Sequence, residues 1–274
     1  MTSGWRLLGL GLALGLVGHA SAAPATPLPT DLPVVGSPSS ETSPAVAPLE
    51  RARLAYFDAR RLMAESRFEE VLPLLEGLLE ITPTWSLAKL ALAQTLRSLD
   101  REPDRRARLL AEAIEVDPDN HQLLYELGLS HEERREPAEA IRRYRQAVVR
   151  RPDLTHAHER LGALLLEAGE LDEARGHLEV AAAQRPTNPV TVSLLAVVFE
   201  GLHRPDDAER QLKRLIVLAP QQPYLYSRLA AFYLRHGRQA ESAAAQATAR
   251  RLLERAAPQR PKMRPLGTPP RKKR

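Results

Sequence analysis

In one stretch of the chain, apolar side chains fall on a single face of a helix. They are Ala140, Ile141, Tyr144, Ala147 and Val148. Because residues three and four apart share a face of an α-helix, this spacing predicts an amphipathic helix with one buried stripe.

A pair of residues, one large and one small, precedes this stripe, and the whole arrangement recurs twice downstream. The three copies are Leu127-Gly128 with Ala140, Tyr144 and Ala147; Leu161-Gly162 with Ala174, Leu178 and Ala181; and Leu195-Ala196 with Ala208, Leu212 and Leu215. Prolines separated by 35, 34, 34 and 34 residues mark the same period: Pro83, Pro118, Pro152, Pro186 and Pro220. Since proline cannot continue the hydrogen bonding of the preceding helix, each is expected to end a two-helix unit. Turns within units are expected at Gly169, Gly237, Pro137 and Pro205.

The large and small residues at these positions recur every 34 residues, as they do in the tetratricopeptide repeat (TPR) family, and the resemblance to that family covers residues 50–257. The resemblance implies an all-α fold, an α-α superhelical solenoid of about six helix-turn-helix hairpins. Glycine inside a helix costs about 1 kcal/mol relative to alanine, so Gly128 and Gly162 indicate a close approach between the two helices of a hairpin. The second unit has one extra residue, expected in a turn at residues 100–103. The polar second helix of the last unit suits a solvent-facing end of the array.

Three segments outside the repeats are predicted from their composition. Residues 1–22 resemble a secretory signal peptide, with Arg6, an apolar stretch at 7–17 and small residues at 20 and 22 for cleavage. That stretch spans roughly 16 Å of helix, too short for a bilayer core of about 30 Å, although an uncleaved anchor stays the alternative. Residues 23–49 are expected to be a disordered Pro-rich linker and residues 258–274 a disordered basic tail. We therefore expect export to the periplasm or out of the cell.

The formal net charge of +5 suggests nucleic-acid binding until it is divided by region. Residues 50–257 carry 31 basic and 32 acidic side chains, whereas the last 17 residues carry +7. The repeats are nearly neutral, and the basic character belongs to the tail. Cysteine is absent, which excludes disulfides, thiolate nucleophiles and cysteine-ligated zinc.

Fragments that look like catalytic or metal-binding motifs fail on their surroundings. His158-Glu159 begins like the H-E-x-x-H motif of zinc proteases, but Gly162 stands where the second histidine is needed. His156 and His158 point about 200° apart on a helix, so they cannot chelate one ion. No phosphate-loop, nucleophile-elbow or catalytic-triad pattern occurs. We expect no enzyme activity, cofactor, metal or small-molecule substrate, and we do not expect nucleic acid as the partner.

In the TPR family the first helices of successive units line a concave groove, and the groove-facing positions are carried over one by one. The candidates are Arg53, Tyr56, Arg60, Gln94, Gln122, Tyr125, Leu129, Glu132, His156, Glu159 and Ala163. The fifth and sixth units add Val190, Ser193, Val197, Glu200, Tyr224 and Ser227. Whether each faces the groove or only a neighbouring helix stays open. The set indicates a groove that is basic at the first unit and acidic around Glu132, Glu159 and Glu200, suited to a peptide with an apolar stripe.

The resemblance implies a non-enzymatic scaffold or adaptor that binds a peptide or protein in the groove, and the predicted export places it in the bacterial cell envelope. The subfamily that grips a chaperone's C-terminal carboxylate is not matched, because Tyr56 and Arg60 stand at its lysine and asparagine positions. In the alternative, the tail attaches the protein to anionic lipid, polysaccharide or nucleic acid. That role would fall to Arg271, Lys272, Lys273 and Arg274.

Overall fold

The computed structural model describes residues 46–256. The predicted signal peptide, residues 23–45 of the predicted linker and the basic tail lie outside that range and stay predictions. The described part contains twelve helices and no strand, which confirms the all-α prediction. The helices are α1 (Val46–Ala64), α2 (Phe68–Ile81), α3 (Ser86–Ser98), α4 (Pro103–Val116), α5 (His121–Glu133), α6 (Pro137–Arg150), α7 (Thr155–Ala168), α8 (Leu171–Gln184), α9 (Pro189–Gly201), α10 (Pro205–Leu218), α11 (Pro223–Arg235) and α12 (Gln239–Ala256). None of these helices is long and apolar enough to span a membrane.

The described residues divide into two compact units, and the first ends at Leu109 within α4. In it α2 packs on both α1 and α3, around a core that includes Ala59, Val71 and Leu92. Helix α1 begins at Val46, four residues before the predicted start of the repeats at residue 50. Pro48 lies in the first turn of α1, where backbone N–H groups have no helical partner and the missing one costs little.

The second unit begins at Leu110 and contains α5 to α12. Each of these helices packs on the next one along the chain, both within a hairpin and between hairpins. The predicted apolar stripe of α6 is buried. It joins one core cluster that continues through Leu161, Leu178, Leu212 and Phe232.

The turn inside each hairpin repeats one backbone geometry. Each of the six hairpin turns contains a residue with positive φ: Ser66, Asp100, Arg135, Gly169, His203 and Gly237. Glycine adopts this left-handed conformation freely, so only two of the six were recognisable from the sequence. A second such residue, Glu102, lies in the α3–α4 turn, where the extra residue was predicted. Pro137 and Pro205, predicted to mark turns, are the first residues of α6 and α10, where the fixed φ of proline suits the helix.

The two helices of a hairpin approach each other most closely at the glycines. A Cβ atom on Gly128 would collide with the ring of Tyr144, and one on Gly162 would lie 2.6 Å from Leu178 Cγ. Tyr144 and Leu178 are both fully buried, so neither side chain has room to move aside. This confirms the close approach predicted from the sequence.

We expect Gly128→Ala to destabilise the protein by about 1–3 kcal/mol, because the added methyl group overlaps a buried ring. Gly176→Ala is the matched control, since Gly176 also lies inside a helix but a Cβ there would meet nothing within 4 Å. That control should stabilise the protein by about 0.5–1 kcal/mol. Urea unfolding followed by circular dichroism measures both changes. If Gly128→Ala were as stabilising as the control, the contact with Tyr144 would be wrong.

Candidate binding face

The first helices of the last four hairpins, α5, α7, α9 and α11, are joined by hydrogen bonds between their side chains. We call the surface that they form the A face. Arg160 of α7 donates to Glu132 of α5 at 3.3 Å, and Thr191 of α9 donates to Glu159 of α7 at 2.8 Å. Each bond joins one repeat to the next, so polar groups of this face take part in the stacking of repeats.

Glu132 lies at the centre of a polar cluster near the end of α5. Its carboxylate accepts hydrogen bonds from the Tyr144 hydroxyl and from Arg160. Arg160 also hydrogen-bonds the side chain of Tyr125, whose ring centroid lies 5.6 Å from that of Tyr144. Burial, together with the negative charge of Glu132, raises the pKa of Tyr144. Leu129 is only 8% exposed and belongs to the core, so little of its side chain is available to a partner.

Glu159 joins the fourth repeat to the start of the fifth. Asn188 caps α9 by accepting from the Val190 N–H at 3.0 Å, and its amide donates to Glu159. Thr191 donates to the same carboxylate, and His156 Nδ1 lies 3.7 Å from it. Although burial acts to raise the pKa of Glu159, the bonds from His156, Thr191 and Asn188 together lower it. The carboxylate is therefore satisfied from within the protein.

Glu200 of α9 is likewise paired, by Arg235 of α11. Glu132, Glu159 and Glu200 were predicted to make this end of the groove acidic. The structure corrects that prediction, because Arg160 and Arg235 neutralise two of these acids and hydrogen bonds from the next repeat satisfy the third.

The other candidates on α5 and α7, Gln122, His156 and Ala163, are half-buried. Gln122 follows the helix cap of α5, and its backbone N–H donates to Asn120 Oδ1 at 3.0 Å. His156 Nε2 lies 3.0 Å from a guanidinium nitrogen of Arg185, and Ala163 lies on α7. These residues face neighbouring repeats at least as much as solvent.

In the first unit Tyr56 packs against Trp85, with ring centroids 4.8 Å apart. Burial raises the pKa of Tyr56, against the opposing effect of Arg60. The guanidinium of Arg53 lies 5.9 Å from the centre of a phenylalanine ring of the same helix, and Gln94 is half-buried on α3. Tyr56 is therefore largely a packing residue, with two arginines beside it on α1.

Apolar side chains that are exposed or half-buried lie at the other end of the A face, on its last two helices. We call Val190, Val197, Tyr224, Ala231 and Leu234 the α9–α11 patch. Val190 is 38% exposed, Leu234 is 58% exposed and Tyr224 is 62% exposed. Large apolar side chains left in water on one face are typical of interaction sites.

Arg228 lies within this patch, four residues after Tyr224 and three before Ala231, on the same side of α11. Its guanidinium donates to Ser193 Oγ at 2.6 Å and to the Ser193 carbonyl at 3.3 Å. Burial lowers the pKa of Arg228, with Glu200 acting in the opposite direction. Between residues 46 and 256 no carboxylate forms an ion pair with it, so a partly buried cation has only neutral hydrogen-bond partners.

Models of the tetratricopeptide repeat match this chain at residues 90–141, 125–189 and 165–232. Together they cover residues 90–232, just over half of the 274 residues. The chain belongs to the tetratricopeptide repeat family. TPR proteins are generally scaffolds that bind peptide or protein partners.

Individual relatives agree with this assignment. A segment of 84 residues is 36% identical to the Hsp70-Hsp90 organizing protein of Triticum aestivum, covering 31% of this chain and 14% of that protein. PilF of Pseudomonas aeruginosa has a TM-score of 0.60 at 18% identity, over 76% of this chain and 94% of PilF. MamA of Desulfovibrio magneticus RS-1 has a TM-score of 0.55 at 22% identity, over 62% of this chain and 97% of MamA. YrrB, a TPR protein with an unusual peptide-binding site, has a TM-score of 0.54 at 19% identity, over 65% of this chain and 93% of YrrB. At these identities the solved structures show the TPR fold alone.

Part of the α9–α11 patch was not recognised from the sequence. Ala231 and Leu234 lie 34 residues after Val197 and Glu200, so the TPR period itself could have found them. Arg228 offered no such signal, because its importance depends on having only Ser193 as a partner, which is a property of the folded chain.

Proposed function

We propose that this chain is a non-enzymatic TPR adaptor that binds a peptide or protein segment at the α9–α11 patch. The observation that supports it is the exposure of Tyr224 on the same side of α11 as the partly buried guanidinium of Arg228, with exposed Leu234 further along that helix. A carboxylate would give that guanidinium a charge-assisted hydrogen bond, which is roughly twice as strong as a neutral one. The proposed partner segment therefore presents apolar side chains with an Asp or Glu among them.

Of the groove positions predicted from the sequence, this proposal uses those of the last two hairpins, Val190, Val197 and Tyr224, rather than Tyr125 and Leu129. Tyr125 is held in the cluster with Tyr144 and Arg160, and Leu129 is in the core. Truncating these two side chains would damage folding as well as binding. Tyr224 and Leu234 protrude into solvent, so they are available to a partner without loss of internal contacts.

We also propose that the protein is exported and acts in the cell envelope, which rests on the apolar stretch at residues 7–17 and the small residues that follow it. The intact mass of the protein recovered from the envelope should correspond to a chain that begins near Ala23. A chain that retains Met1 in the membrane fraction would contradict this.

The binding proposal is tested with a random peptide library displayed on phage and selected on the full chain. We expect selected peptides to share apolar residues and one acidic residue, and Tyr224→Ala to weaken their affinity by about 30-fold, the loss typical of a central aromatic side chain. Arg228→Gln should reduce the preference for the acidic residue while leaving the apolar preference. Fluorescence anisotropy with labelled selected peptides measures both effects.

Val217→Ala is the matched control, because Val217 is 78% exposed but lies on α10, outside the patch. It should leave the affinity unchanged, as should deletion of residues 258–274. Circular dichroism would first establish that each variant is folded. Peptides that bind the Tyr224 variant with normal affinity would overturn the proposal. Binding that is lost only when residues 258–274 are deleted would instead favour attachment through the tail.

A further inference from the structure

Two histidines face each other across the fourth hairpin, away from the α9–α11 patch. His158 lies on α7 and is 6% exposed, and the side chain of His177 on α8 is 20% exposed. Their Nδ1 atoms are 3.0 Å apart and their ring centroids 5.1 Å apart. This is a direct hydrogen bond between two titratable rings, and neither the fold nor the proposed function accounts for it.

The partners of the two rings fix where their protons lie. His158 Nε2 is 3.0 Å from the Pro152 carbonyl oxygen, which only accepts, so this nitrogen carries a proton. With His158 neutral, its Nδ1 accepts, and His177 Nδ1 must be the donor. The remaining nitrogen, His177 Nε2, lies 3.6 Å from a carboxylate oxygen of Glu173.

This arrangement accepts one additional proton but not two. A first proton on His177 Nε2 faces the Glu173 carboxylate, which attracts it. A second proton would have to occupy His158 Nδ1, placing two N–H donors against each other at 3.0 Å. That contact would lose its hydrogen bond and gain repulsion between two cations, so the rings would have to separate.

The charged groups that act on the pair are Glu173 of α8 and Arg145 of α6. Arg145 donates to Glu173 at 2.7 and 2.8 Å, so this carboxylate is already shared with another cation. Burial lowers the pKa of both histidines, and for His177 the nearby His158 lowers it further. The environment as a whole therefore disfavours the doubly protonated pair.

The neighbouring hairpins show that the fold does not need histidine at these two positions. One repeat earlier and one repeat later, the first-helix position is occupied by Leu124 and Val192. The second-helix position is occupied by Arg143 and Gln211. The same helix pairing is thus formed by side chains that do not titrate near neutral pH.

We propose that the His158–His177 contact is a pH-sensitive element that strengthens the packing of α7 on α8 near neutral pH and weakens it when both rings are protonated. Helix α7 also carries Arg160, bonded to Glu132 on α5, and Glu159, bonded to Thr191 on α9. Weaker packing of α7 would therefore act on both of these bonds, which join α7 to its neighbours on the A face.

The direction of the effect follows from proton linkage. In an opened hairpin both rings titrate near the ordinary histidine pKa of about 6.5, whereas in the closed hairpin both pKa values are lower. The closed form therefore binds fewer protons than the open form in this range. Its stability is fully present above about pH 6.5 and is lost as the pH falls below that value.

The test compares thermal melts of the full chain with those of the double variant His158→Leu/His177→Gln. The Leu is the residue of the preceding repeat at the first position, and the Gln is the residue of the following repeat at the second. When the pH is lowered from about 7.5 to about 5.5, the melting temperature of the unmodified protein should fall by about 2–4 °C more than the melting temperature of the double variant does. His236→Gln, which removes an exposed histidine outside this hairpin, should behave like the unmodified protein. A double variant that loses as much stability as the unmodified protein would overturn the proposal.

A second measurement does not depend on any variant folding. Nitrogen chemical shifts of the imidazoles in the unmodified protein report which nitrogen carries the proton and at what pH each ring titrates. We expect a neutral His158 protonated on Nε2 near neutral pH, and faster amide exchange in α7 and α8 than in α11 and α12 once it titrates. Two rings that titrate independently near pH 6.5, with unchanged relative exchange protection, would refute the proposal.

Discussion

A carboxylate enclosed by protein has to find hydrogen-bond donors inside the structure, and for Glu159 this requirement joins two repeats. The side chain is only 17% exposed, and two of its donors, Asn188 and Thr191, belong to the following repeat. Asn188 also caps α9, so the residue that begins one helix is the residue that contacts the previous repeat. Misplacing the fifth hairpin would leave both the carboxylate and the helix start without partners.

The same requirement determines which charges of the A face are already paired within the protein. Glu132 and Glu200 are paired within the protein, by Arg160 and Arg235, and so contribute little charge to a partner. At the other end, Tyr224 and Leu234 remain exposed. Our functional proposal therefore depends on how the polar residues are used between repeats, more than on which residues occupy the family's groove positions.

Much of the fold could be predicted from the sequence because it depends on local, periodic constraints. Pro152 and Pro186 mark the ends of hairpins, and Gly128 marks a close helix contact that the structure contains. The start of α1 was placed too late, because the prediction took the proline-rich composition to continue through residues 46–49.

The candidate binding face was harder to predict because its charge depends on pairs of side chains far apart in sequence. Arg160 and Glu132 are 28 residues apart, and Arg235 and Glu200 are 35 apart. A single sequence shows each acid but not the base that neutralises it. The burial of Leu129 was missed for a related reason, since a position shared by all repeats is open in some of them and covered in others.

The most direct test of this account is to compare the removal of two carboxylates from α7, using Glu159→Ala and Glu167→Ala, by urea unfolding at neutral pH. Glu159 is bonded to the next repeat, whereas Glu167 is exposed on the same helix. We predict that the Glu159 variant loses about 1–3 kcal/mol, because Thr191 and Asn188 lose their acceptor. The Glu167 variant should stay within about 0.5 kcal/mol of the unmodified protein. Equal, small effects would contradict the claim that the acids of the A face hold the repeats together.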